Sequence, residues 1–288
     1  MPDNRYFKIR PMRSNDLDQA FSLSKAEGWN QTEKDWRFLL EDQHNKCLVA
    51  EFDNNVAGTA TALNHSDEVA WIGMVLVDKS LRGQGIGKML LSAIIEALKQ
   101  IRSIKLDATP AGEPLYRNLG FIEEYKIFRM TNSSLNEFNK LENDIKPQPM
   151  DHVSFSEIAK LDSEIFGTDR TILLKYLFQD YPEKAFLMEQ NHKTDGYIFG
   201  RDGVRFNYIG PVSALSSESA RILIAKALET LEHKPVALDI PEDKEDLIKW
   251  LESLGFVRQR QFIRMYLGKN YYPGKVVNQY LISGPEFG

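Results

Sequence analysis

An apolar run from Trp71 to Val77 leads through Asp78-Lys-Ser-Leu into Arg82-Gly-Gln-Gly-Ile-Gly-Lys88, and a helix-like stretch follows at once. Glycines at 83, 85 and 87 strip side chains from alternate positions of this turn, so its backbone N–H groups can approach an anion closely. A helix beginning here adds its unpaired N-terminal donors and partial positive charge. The chemistry on offer is phosphate binding. A Walker A loop is excluded, because Arg82 stands where its first glycine belongs and Met89 where its Ser or Thr belongs. A dinucleotide fingerprint is excluded too, because Lys88 occupies the place of its third glycine. An isolated run of glycines is also compatible with a plain strand-to-helix turn, so the neighbouring elements must decide.

Those elements read in order from the N-terminus. Phe7–Arg10 before Pro11 is a short strand, Ser14 to Leu23 a capped amphipathic helix, and Gly28 to Leu40 a turn and second helix with Thr32 as its cap. Residues 47–52, 56–63 and 69–77 are apolar or β-branched and read as strands, with Asp53-Asn-Asn55 as a hairpin turn between the first two. Beyond the glycines, Ile86, Leu90, Ala93 or Ile94, and Ala97 share one helical face, and residues 104–108 form another strand. Leu115-Tyr-Arg-Asn-Leu-Gly-Phe121 and Ile127-Phe-Arg-Met130 then supply a helix, a turn and a last strand.

The Arg-Gly-x-Gly-x-Gly loop after a strand, followed by the Tyr-Arg-Asn-Leu-Gly-Phe segment, resembles the GNAT superfamily of acyl-CoA-dependent N-acetyltransferases. The resemblance implies an α/β fold of the α+β type, a mixed and mostly antiparallel sheet flanked by helices. It implies acetyl-CoA as co-substrate and direct attack by an amine, without a covalent acyl-enzyme. It places the acetyl carbonyl and pantetheine against the backbone of Val75, Leu76 and Val77, and the pyrophosphate on Arg82, Gly83, Gln84, Gly85, Ile86, Gly87 and Lys88. Thr109 stands near the family's cofactor-contacting Asn. Tyr116 matches the family tyrosine that faces the cofactor sulfur and is the expected general acid. Asp107 lies on the strand where many relatives carry a Glu that deprotonates the amine through water. The segment from Asp107 to Tyr116 is shorter than the family pattern, and Glu113 is a rival base. Trp29, beside Gly28, falls where the family often builds its acceptor wall, whereas Trp36 reads as core.

The second half echoes the first. Phe256 of Leu-Gly-Phe lies 135 residues after Phe121 (256 − 121), and Arg264-Met265 follows Arg129-Met130 at the same 135 (264 − 129). Leu238-Asp239 echoes Leu106-Asp107 at 132 (239 − 107), and Ile209-Gly210 echoes Ile72-Gly73 at 137 (210 − 73). Opposite the glycine loop stands Ser219-Ala-Arg-Ile-Leu-Ile224, with no glycine, and opposite Tyr116 stands Leu251. We therefore expect two tandem GNAT-like domains. Residues 1–132 are the catalytic one, 133–149 a polar, proline-ended linker, and 150–288 a degenerate copy whose tail from Tyr271 docks as a strand.

Composition is consistent with this and excludes other classes. The 288 residues suffice for two domains, each with a real core, and 42% hydrophobic with 27% charged content is that of a globular protein. A formal charge of −5 argues against a nucleic-acid-binding protein, and no run approaches a membrane span. One cysteine, Cys47, reads as a buried inert thiol and fits a cytoplasmic chain. The five histidines are scattered without metal spacing, so no metal is expected. The expected function is N-acetyl transfer to a small-molecule or peptide amine by a monomer or homodimer. The alternative is a non-catalytic acyl-CoA-binding or sensing protein.

Overall fold

The computed structural model describes residues 6–135, 146–190 and 193–288, so residues 136–145 of the expected linker lie outside the described residues. The first half runs β1 (Lys8–Pro11), α1 (Leu17–Ala26), α2 (Glu33–Glu41), β2 (Lys46–Phe52), β3 (Asn55–His65), β4 (Val69–Val77), α3 (Ile86–Ala97), β5 (Ser103–Ala108), α4 (Glu113–Asn118) and β6 (Phe121–Asn132). The second repeats the order: β7 (Gln148–Pro149), α5 (Phe155–Phe166), α6 (Thr171–Asp180), β8 (Phe186–Gln190), β9 (Lys193–Arg201), β10 (Asn207–Ala214), α7 (Ser217–Glu229), β11 (Val236–Pro241), α8 (Glu245–Ser253) and β12 (Val257–Leu267), with β13 (Gln279–Leu281) added.

Local chemistry accounts for several boundaries. Thr32 caps α2, accepting from the Asp35 amide at 3.3 Å while the Asp35 carboxylate accepts from the Thr32 amide at 2.6 Å. Asp53 and Asn54 both take positive φ, 49° and 61°, as a tight hairpin between β2 and β3 requires. On α3 the apolar stripe Ile86, Leu90, Leu91 and Ile94 is buried against the sheet. Trp36 is fully buried, with its indole N–H donating to Ser24 at 3.2 Å.

The strands form one continuous sheet in the order β1-β2-β3-β4-β5-β12-β6-β11-β10-β9-β8-β7, with β13 attached to β10. Each half supplies a mixed, mostly antiparallel half-sheet flanked by helices. The parallel pairings are β4 with β5 and β10 with β11. The linear reading did not contain one feature: β12 from the second half pairs with β5, and β6 from the first half pairs with β11. The halves have exchanged their last strands, and β6 lies against β12 at the centre.

The exchange is locked by reciprocal buried ion pairs. Arg264 on β12 donates to both oxygens of Asp107 on β5, each at 2.9 Å, and Arg129 on β6 donates to both oxygens of Asp239 on β11 at 2.8 and 2.6 Å. These are the Asp and Arg positions that recur between the halves. Bidentate geometry suits the guanidinium fork, and removing either partner would strand a buried charge.

Candidate active site

The first half-sheet opens where β4 and β5 part. Their parallel register runs from Val69 opposite Ser103 to Ile72 opposite Leu106 and then ends. On the other side of β4, Thr61 faces Gly73 but Thr59 faces Leu76, so β4 carries one extra residue in a bulge. Met74 takes φ 49° there, and the Thr59 hydroxyl pins it by donating to its carbonyl at 2.7 Å. The bulge turns β4 away, so from Gly73 to Val77 the backbone groups facing β5 have no ladder partner in that strand. Valine 75 lines the cleft, Leu76 is buried on the opposite face, and Val77 packs toward α3.

Asp78 ends β4 by accepting from the Ser80 amide at 2.8 Å, and the chain then enters the glycine turn. Gly83 and Gly85 take φ 81° and 82°, and a Cβ added at either meets nothing within 4 Å. Their lack of side chains is therefore required by backbone conformation and leaves open space, not a packed neighbour. Gly85 is the N-cap of α3 and provides no side-chain acceptor, while the first helical bond runs from the Met89 amide to the Gly85 carbonyl at 3.0 Å. The amides of Ile86, Gly87 and Lys88 are thus left as free donors at the positive end of the helix. Gln84 and Lys88 are exposed. Arg82 is drawn to the end of α1, pairing with Glu27 at 2.5 Å and donating to the Val77 carbonyl at 3.2 Å. The turn thus fits a pyrophosphate: it offers free amides and an open approach, and the nearby Glu27 carboxylate is paired with Arg82 and Lys79.

A cavity of about 60 Å³ lies at the splay, and it brings together Trp29, Val75, Asp107, Thr109 and Tyr116. Tyr116 projects from α4 with its ring edge-on to Phe121, 5.9 Å between centroids, and Gly112 makes room for it, since a Cβ there would come within 2.8 Å of the Tyr116 ring. Burial pushes its phenol up to about 12, so the proton is held at neutral pH. Its hydroxyl takes no hydrogen bond among the described residues. The Thr109 hydroxyl accepts from the Gly112 amide at 3.2 Å and starts the turn into α4.

The two candidate bases are placed differently. Asp107 lines the cavity, and burial pushes its carboxyl up against the pull of Arg264, which holds both oxygens. Glu113 instead pairs with Arg117 at 2.6 Å one helical turn away and does not line the cavity.

Four further lining residues, Gln31, Arg129, Arg260 and Glu286, escaped the sequence reading as site residues. Glu286 arrives because the tail packs back onto the first half: the Trp71 indole donates to the Pro285 carbonyl at 3.2 Å, and Gly73 lets the Glu286 backbone approach to 2.8 Å of where a Cβ would stand. Gln31 Nε2 donates to Glu286 at 2.8 Å across 255 residues of sequence. For Arg129 the available sequence signal is its echo in Arg264. Among the described residues no metal-ligating cluster occurs and no helix is long and apolar enough to cross a membrane.

Comparison with known proteins addresses both halves. Residues 12–121 match the acetyltransferase (GNAT) family model, and residues 158–281 match an acetyltransferase (GNAT) domain model. The chain is 27% identical over 271 residues to the holothin acyltransferase of Pseudoalteromonas sp. (strain SANK 73390), covering 93% of this chain and 90% of that one. It is 28% identical over 185 residues to YitH, an uncharacterized N-acetyltransferase of Bacillus subtilis (strain 168), a match that spans 64% of this chain and 65% of the relative. A crystal structure of a candidate acetyltransferase from Pyrococcus horikoshii superposes with a TM-score of 0.81 at 22% identity, covering 100% of this chain and 99% of that one.

Proposed function

We propose, from the premise that the chain belongs to the GNAT family in both of its halves, that it moves an acetyl group from acetyl-CoA to a primary amine. In this proposal residues 1–132 perform the chemistry and residues 150–288 shape the acceptor pocket. One observation carries the reading: β4 opens at Val75 onto the cavity that Tyr116 also lines, and the chain runs on from β4 through the glycine turn to the uncapped N-terminus of α3.

The free amides from Gly83 to Lys88, with Gln84 and Arg82 beside them, would hold the pyrophosphate. The β4 backbone at Val75, Leu76 and Val77 would hold the pantetheine arm and, through its unpaired N–H groups, stabilise negative charge growing on the acetyl oxygen. Thr109 would help position the arm. The acceptor amine, seated beside Trp29, attacks the thioester carbon; an N–C bond forms and the C–S bond breaks. Tyr116 Oη supplies the proton to the departing sulfur, and Asp107 receives the amine's proton through water. Both groups then re-equilibrate with solvent, so the net reaction is amine plus thioester to amide plus thiol.

Titration of acetyl-CoA into the purified protein by calorimetry tests this. One site per chain, lost in Gly85→Val, together with thiol release when an accepted amine is added, is the expected result. Two sites would overturn the assignment of roles to the halves. Binding with no thiol release for any amine would make the protein a non-catalytic acyl-CoA binder.

A further inference from the structure

The cavity beside Tyr116 is lined by one charged side chain that lacks a counter-ion. Four charged side chains line it, and three are neutralised: Asp107 by Arg264, Arg129 by Asp239, and Glu286 by Arg201. The fourth, Arg260, makes no ion pair or hydrogen bond among the described residues. It stands directly opposite Arg129 across the β12–β6 ladder, a like-charge pairing that destabilises a sheet. Burial and the neighbouring Arg129 push this half-buried guanidinium down, against the pull of Asp239. Gln31, which also lines the cavity, is 4% exposed and spends its NH2 group on Glu286.

A ligand that neutralises Arg260 carries an anion. We infer that the acceptor is a small amine bearing a carboxylate or phosphate, its anionic group on Arg260. The inference rests on the proposed acetyl transfer and specifies its substrate class. A volume of about 60 Å³ suits a compact head group. Arg260 is thus a specificity-determining residue, and its uncompensated charge is retained at a cost in stability for the sake of binding.

The test compares matched amines that differ by the anion, β-alanine against propylamine and O-phosphoethanolamine against ethanolamine, using thiol release from acetyl-CoA. The anionic member of at least one pair is expected to show a kcat/KM about 10- to 100-fold higher, the range for a charge-assisted hydrogen bond, carried by KM. The carboxylate and phosphate arms identify which anion is read. In Arg260→Gln the ratio within that pair should collapse toward one, while the melting temperature of the unliganded protein holds or rises as the arginine repulsion is relieved. Equal use of both members, or an equal loss for both in Arg260→Gln, would overturn the inference. Turnover of neutral amines alone would do the same while leaving acetyl transfer standing. Failure to bind acetyl-CoA would instead overturn the transferase reading beneath it.

Discussion

The splay between β4 and β5 has a twin in the second half, and the two differ in what fills them. Parallel pairing ends at Ile72 opposite Leu106 in one and at Ile209 opposite Leu238 in the other, positions that correspond in the repeat. Both β4 and β10 are bulged against their antiparallel neighbour just beyond this point. In the first half the opening leads into the cavity. In the second, β13 occupies it, pairing Leu281 with Val212 and Gln279 with Ser213. The following helices differ in the same sense. The α3 N-terminus at Gly85 has no side-chain cap, whereas α7 is capped by Ser216, which accepts from the Ser219 amide at 3.1 Å. Backbone donors left free in one half are consumed internally in the other, so the two repeats share a fold while only the first leaves its splay and helix end open.

The largest effect that would sharpen this contrast is on turnover. Tyr116→Phe removes a hydroxyl with no hydrogen bond among the described residues, so stability should be nearly unchanged while kcat falls by about 10²- to 10⁴-fold, the span of general acid–base catalysis. Leu251, at the equivalent place in α8, is fully buried in the second core. Leu251→Ala should do the reverse, costing about 2–5 kcal/mol in denaturant melts while retaining the kcat of the remaining folded protein. Full turnover in Tyr116→Phe would remove the tyrosine from the mechanism and erase the asymmetry at this position.

The exchanged ion pairs supply the next test, because the structure makes Asp107 and Asp239 equivalent and the proposal does not. Asp107→Asn and Asp239→Asn each leave an arginine buried without its counter-charge, and each should cost about 3–5 kcal/mol of stability. Only Asp107 lines the cavity, so only Asp107→Asn should also change the pH–rate profile at temperatures where both variants are folded. Matching stability losses with matching kinetics would reduce Asp107 to a structural lock and leave the amine's base unassigned.

This comparison also shows where a linear reading stops. The strands, the glycine turn, the Leu-Gly-Phe turns and the repeat are local patterns, and each announces itself in a few consecutive residues. Which half β6 and β12 belong to is a matter of register across the sheet, and local propensity is the same whether a strand pairs within its own half or in the other. The one trace was chemical: Asp107 and Asp239, and Arg129 and Arg264, recur at nearly equal offsets, and complementary charges at repeated positions are what an exchange needs. The far wall of the cavity left less trace. Glu286 reaches Gln31 because Gly73 and Gly210 let the tail lie close against both β4 and β10, and neither glycine's partner is near it in sequence. Net charge does not locate the pocket: the chain is acidic overall, yet the cavity holds an arginine without an ion pair among the described residues.

The smallest expected effect concerns the tail that separates the two splays. His65 at the end of β3 is fully buried, with Nε2 3.1 Å from the Phe287 carbonyl. Because that partner is a carbonyl, Nε2 carries the hydrogen, and the neutral ring suffices for the bond. Burial, with Arg170 nearby, pushes this imidazole down to about 3. The folded protein therefore keeps His65 neutral where the unfolded chain protonates it near pH 6.5. Stability from this group is present above about pH 6.5 and is lost as the pH falls toward 3, at up to about 1.4 kcal/mol per pH unit. His65→Gln, which retains a donor but does not titrate in this range, should flatten that part of the stability–pH curve. If the tail is what keeps the second splay closed, acid should loosen it in the native protein before global unfolding, read as lower hydrogen-exchange protection, after correction for the intrinsic rate, at the Leu281 and Ile282 amides. An unchanged acid slope in His65→Gln would place the tail's hold on the sheet in Phe287 packing and in the Arg170 hydrogen bonds to Ser283 and Gly288.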